Sequence, residues 1–165
     1  MGRRPTLILS SALALIVLAL PLGAGAERSA SSYAAVVKVA FNKKLKRRIL
    51  VNEKGFTLYL FTEDAHGMLA CIDSMDHCPT AWPPLRSTEP PVPGKGTRAN
   101  LLGTIARPDG DPQVTYRGHP LYTDAGSVSF GLKADVKPGQ IRGQAFYNVW
   151  FVVSPRGKAI EKRPG

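Results

Sequence analysis

Side chains that do chemistry at neutral pH are scarce here: the 165 residues include only two cysteines and three histidines. There is no Gly-x-Ser-x-Gly elbow, no His-Glu-x-x-His and no Cys-x-x-Cys, so the common signatures of a serine hydrolase, a zinc protease and a thiol redox centre are missing. The stretch "GKGTRANLLG" holds glycines and basic residues but lacks the order of a phosphate-cradling loop and lies among prolines. Acidic residues are also few, 12 against 22 lysines and arginines. Long helices are excluded through the middle of the chain, because "CPTAWPPL", "STEPPVPGKG" and "ARPDGDPQ" fix φ and remove backbone donors too often. These absences favour a non-catalytic protein and leave an enzyme of unknown type as the third choice.

What is present first fixes a compartment. Arg3 and Arg4 precede the apolar run "LILSSALALIVLALPLG", and Ala24-Gly25-Ala26 offers a small-residue cleavage site before Glu27. This is the pattern of a secretory signal peptide over residues 1–26; the route of export is open. A mature chain of about 139 residues is one domain's worth, with a net charge of about +8 once Arg3 and Arg4 are gone. Such a surface attracts anions. In an exported protein the expected partner is an anionic envelope component or another exported protein, and not nucleic acid. No transmembrane anchor is expected after cleavage.

The segment 27–35, "ERSASSYAA", is small and polar and reads as a flexible lead-in. A single all-β domain is expected over 36–165. "VVKVAFN", "ILVN" and "FTLYLF" are β-rich runs separated by "KKLKRR" and "EKG", which favours a meander over a helix across 34–50. "LLGTIAR", "QVTYR", "HPLYT" and "FYNVWFVV", residues 146–153, supply further strands, the last nearly continuous in apolar residues.

The halves repeat. Val51-x-x-x-Gly55-x-x-Leu58-Tyr59 recurs as Val114-x-x-x-Gly118-x-x-Leu121-Tyr122, which predicts two related hairpins with each glycine in a turn. Repeat one covers about 36–86 and repeat two about 101–160. The linked elements "KGFTLYLFTED", "CPTAWPPL", "RPDGDPQVTYRGHPLY" and "NVWFVVSPRG" resemble the secreted-repeat family of bacterial predicted lipoproteins marked by a Yx(F/W/Y)xxD motif. That resemblance implies an exported, β-rich, duplicated domain whose biochemical role is not established. Its motif positions here are Tyr59, Phe61 and Asp64, with Trp82 and Tyr122. In the second copy the aromatic and aspartate slots fall on Asp124 and Ser127. Many members carry a lipobox cysteine; this chain has none before Cys71, so a soluble secreted or periplasmic protein is expected.

Export and an even cysteine count favour a Cys71–Cys78 disulfide. The rival reading keeps the thiols free and joins them to His77 with Asp73 or Asp76, a set suited to zinc or copper. A variant leaves the disulfide in place and uses His66, Asp73, Asp76 and His77. No cofactor is expected on the first reading; a metal- or haem-handling exported protein is the alternative. Lys43, Lys44, Lys46, Arg47 and Arg48 form the densest basic cluster and the natural contact for an anionic surface, or else a charge-protected strand edge. Tyr59 and Phe61 share one face of a strand with Asp64 at its end, placed to cap the following turn.

Overall fold

Eight short strands carry the fold, in the order β1 (Val36–Asn42), β2 (Arg47–Asn52), β3 (Tyr59–Phe61), β4 (Val92–Pro93), β5 (Leu102–Arg107), β6 (Gly110–Tyr116), β7 (His119–Pro120) and β8 (Trp150–Val152). This computed structural model describes residues 1–2, 31–64, 67–72 and 77–161. The signal peptide expected over 1–26 lies, apart from Met1 and Gly2, outside the described residues. Residues 31–165 form one unit, and everything below concerns it. Among the described residues helix is confined to one turn, α1 (Cys78–Ala81), and a 3₁₀ turn at Ala99–Leu101. No described helix is long and apolar enough to cross a membrane.

The β1–β2 hairpin pairs Val37 with Asn52 through to Asn42 with Arg47. Its tip is residues 43–46, where Leu45 turns fully into the core while Lys43, Lys44 and Lys46 stay outside. Asn42 fixes that tip: its side-chain oxygen accepts the Leu45 N–H at 3.0 Å and its amide donates to the Gly139 carbonyl at 2.9 Å. Two-residue β4 adds to β1 as the parallel exception in an otherwise antiparallel fold. Part of the supposed lead-in is pinned: the Tyr33 and Ala35 N–H groups donate to the hydroxyls of Thr88 and Ser87 at 2.7 and 2.9 Å.

Two rings of backbone hydrogen bonds organise the rest. In one, Leu50 N–H donates to Val153 O, Val153 N–H to Leu58 O and Leu58 N–H to Leu50 O, at 2.9, 3.1 and 3.0 Å. In the other, Val114 N–H donates to Leu85 O, Leu85 N–H to Leu121 O and Leu121 N–H to Val114 O, at 2.7, 2.9 and 2.9 Å. Interchanging the halves maps one ring onto the other. Each hairpin therefore receives its third segment from the opposite half, 84–86 completing the second and 150–153 the first.

The glycine equivalence of the sequence repeat holds, and the valine equivalence does not. Gly55 and Gly118 both sit at positive φ, 85° and 79°, yet Val114 matches Leu50 rather than Val51. The first turn is the longer by one residue: Asn52 and Phe56 enclose three residues, whereas Tyr116 and His119 enclose only Arg117 and Gly118. Both of those have positive φ, as a type I′ turn requires. The strand expected over 146–153 shrinks to β8, because Ala145, Tyr147 and Asn148 take positive φ and fold the chain into tight turns before Trp150.

Candidate functional site

Where the two halves meet, Tyr59 and Tyr122 exchange both backbone hydrogen bonds, at 2.9 and 3.0 Å. Both side chains are fully buried, and a buried phenol needs an acceptor. Tyr122 donates to Asp64 Oδ2 at 2.8 Å and Tyr59 donates to Asp135 Oδ2 at 2.6 Å. The tyrosine of each copy thus uses the carboxylate of the other. The remaining oxygens are also held: Asp64 Oδ1 accepts the Ala70 N–H at 2.7 Å and Asp135 Oδ1 accepts the Arg142 N–H at 2.8 Å. Asp64 caps the turn after its strand, as its position in the motif predicts, and locks the copies together as well.

The second-copy aspartate is Asp135, neither Asp124 nor Ser127. It lies thirteen positions after Tyr122 where Asp64 lies five after Tyr59, the added length containing the small loop closed by Ser127 and Leu132. Asp124 occupies the aromatic slot, and the consequence is electrostatic. It is 4% exposed; Oδ1 accepts the Gly126 N–H, while Oδ2 has no partner among the described residues. Burial, reinforced by the nearby Asp135 charge, lifts its pKa to about 7. Burial also raises Asp64 and Asp135, and it pushes both tyrosines upward with help from the carboxylate each one faces.

Indoles pack beside this lock. Trp82 and Trp150 stack with centroids 4.0 Å apart and planes 4° from parallel, and Phe61 stacks on Trp150 at 4.3 Å. Tyr59 meets Trp82 edge-on and Tyr122 meets Trp150 likewise. Trp82 lies three residues before Leu85 and Trp150 three before Val153, so the pair is equivalent too. A pocket of about 200 Å³ opens between this stack, Phe146 and Cys78.

The two thiols form a disulfide: Cys71 and Cys78 are bonded, with Cα atoms 5.4 Å apart. Neither sulfur is left to ligate a metal. His66, Asp73 and Asp76 lie outside the described residues; His77 is exposed and precedes α1 in a left-handed conformation. No group of three metal-ligating side chains occurs among the described residues. Arg107, unnoticed in the sequence, ties the disulfide to the second hairpin: it donates to the Cys71 carbonyl at 3.0 Å, to Gln113 at 2.6 Å and to Asp109 at 2.6 and 2.8 Å. That guanidinium holds the Asp109 carboxyl down at about 2.

The basic cluster faces outward beside the lock, with Lys44 near enough for its charge to favour the Asp135 carboxylate. Lys46, Arg47 and Arg48 line a groove of about 880 Å³ together with Phe41 and the segment 154–161, which contributes a fourth cation, Arg156, and one carboxylate, the exposed Glu161. Arg156 was not legible as part of this cluster, being more than a hundred residues away in the chain. None of these cations is in an ion pair among the described residues.

Fold and lock together define a disulfide-stapled all-β domain whose buried tyrosine–aspartate pairs join its two matching halves. Residues 103–154 match a family described as a secreted repeat of unknown function, the one the sequence resembles. No curated protein and no solved structure matches the chain.

Proposed function

We propose that this chain is an exported, non-catalytic binding module that adheres to anionic material of the cell envelope through its basic hairpin tip. The signal-peptide pattern read in the sequence and the secreted-repeat match support export, and the absence of a lipobox cysteine from the sequence supports a soluble secreted or periplasmic form. The family motif does not supply the binding surface on this reading, because Tyr59, Tyr122, Asp64 and Asp135 spend their polar groups on one another inside the protein.

The observation that carries the reading is the display of the tip. Lys43, Lys44 and Lys46 are exposed on a turn anchored by buried Leu45 and by Asn42, and Arg47 and Arg48 are exposed at the start of β2 beside it. Charges held on a rigid element lose less entropy on binding than charges on a floppy one. The test is pelleting of purified protein with cell-envelope fragments across a salt series. Screening shortens from roughly 8 Å at physiological ionic strength to about 3 Å at 1 M, so wild type should release at high salt, and a variant with the five cations changed to glutamine should not pellet at all. Equal pelleting of both proteins overturns the reading.

A further inference from the structure

We infer that the hairpin tip docks on an anionic phospholipid surface, with Phe41 entering the acyl boundary while Arg47, Arg48 and Arg156 engage lipid phosphates. This rests on the proposal that the basic face binds envelope anions and narrows it to one partner. The narrowing comes from Phe41, which is 63% exposed and stands directly across the hairpin from Arg48. Residues opposed in an antiparallel pair project to the same side of the sheet. The most exposed described phenylalanine is therefore presented next to the Arg48 guanidinium, and Phe41, Arg47, Arg48 and Arg156 all line the same groove.

An isolated exposed aromatic needs no explanation. One at the edge of a groove with four cations does, because a water-soluble polyanion would gain from the charges and nothing from the ring. A bilayer of anionic lipid offers both partners in one plane, phosphate outermost and hydrocarbon a few ångströms below, which is the pairing that basic and aromatic interfacial segments use. Three of the four cations are arginines, whose planar guanidinium can bind phosphate in a two-pronged geometry that lysine cannot. Ala159 and the largely buried Ile160 also line the groove, and its one carboxylate, Glu161, leaves a net charge of +3 among the lining residues. The tip is anchored from behind, with Leu45 held in the core and Asn42 bonded to both the turn and Gly139.

The test uses the mature protein with vesicles of phosphatidylglycerol or of phosphatidylcholine and, separately, with soluble polyphosphate. Wild type should bind phosphatidylglycerol and leave phosphatidylcholine unbound. Phe41→Ala should bind phosphatidylglycerol about tenfold more weakly, the loss expected for one buried phenyl ring, with its binding to polyphosphate unchanged. Each of Arg47→Gln, Arg48→Gln and Arg156→Gln should weaken vesicle binding about fivefold. In Phe41→Trp, added fluorescence at position 41 should shift to the blue on phosphatidylglycerol and be quenched by brominated acyl chains. Circular dichroism and melting temperature confirm that each variant is folded. If Phe41→Ala binds vesicles as wild type does, or the fluorescence of Phe41→Trp neither shifts nor is quenched on bound vesicles, docking on lipid is wrong while polyphosphate binding keeps the wider electrostatic reading alive. If neither vesicles nor polyphosphate bind, both are overturned.

Discussion

At the scale of single residues, the second copy buries two aspartates where the first has a phenylalanine and an aspartate. Asp135 meets the tyrosine; Asp124, in the slot that Phe61 fills in the other copy, is buried with one oxygen unpaired. Its pKa rises from an unfolded value near 3.8 to about 7, so between those limits the folded state holds a proton that the unfolded state has lost. Folding stability is therefore undiminished below about pH 4 by this group and falls as pH rises through 7. Asp64 and Asp135, also raised, act in the same direction. Asp109 acts oppositely, its stabilising pair with Arg107 being lost as pH falls from 3.8 toward 2. Melting temperature should peak on the acid side of neutrality, and Asp124→Asn should flatten the decline toward pH 8 while raising stability there by up to a few kcal/mol. A melting temperature that rises between pH 5 and 8 in wild type contradicts this. Tyr122→Phe tests the lock itself: it removes a donor from buried Asp64, and urea unfolding should show a loss of about 1–3 kcal/mol.

At the scale of elements, much of the fold could be read from local chemistry and much of the site could not. β1, β2, β5 and β6 follow from β-branched runs bounded by turn residues, and the disulfide follows from compartment and count. The apolar run 146–153 is longer than the strand it forms because it does not reveal the positive φ of Tyr147 and Asn148 within it, or of Ala145 just before it. Matching the halves at a constant spacing placed the glycines correctly and the valines one residue out, since a turn of two residues replaces one of three. The same rigid spacing hid Asp135 behind a loop insertion; a comparison allowing for that insertion would have found it. Nothing local signals that a tyrosine's acceptor comes from the opposite copy, because that is a property of chain path. The disulfide belongs to this scale as well. Closing so short a loop stabilises by roughly 2–3 kcal/mol on the chain-entropy estimate, and Arg107 adds a strut from Cys71 to the second hairpin. Intact folded protein should take up no alkylating reagent, and paired replacement of Cys71 and Cys78 by alanine should cost about that amount in urea unfolding; labelling of both cysteines without reduction would refute the bond.

For the molecule as a whole, the two structurally matching halves complete each other. Segment 84–86 closes the hydrogen-bond ring of the second hairpin, segment 150–153 that of the first, and each buried tyrosine takes its acceptor across the divide. The Trp82–Trp150 stack likewise draws one ring from each half. A half expressed alone would leave one hairpin without its third segment, a buried phenol and a buried carboxylate without partners, and one face of an indole in water. Small β units of this size are marginal even when intact. Residues 31–100 and residues 101–161 should therefore each be unfolded in isolation, with no dispersion of amide resonances and no cooperative melting. Mixed in equal amounts, they should assemble one to one and regain a single melting transition, weaker than that of the intact chain because association costs translational freedom that the covalent link avoids. A half that folds alone with its tyrosine buried would show that the cross-copy bonds are incidental to the fold.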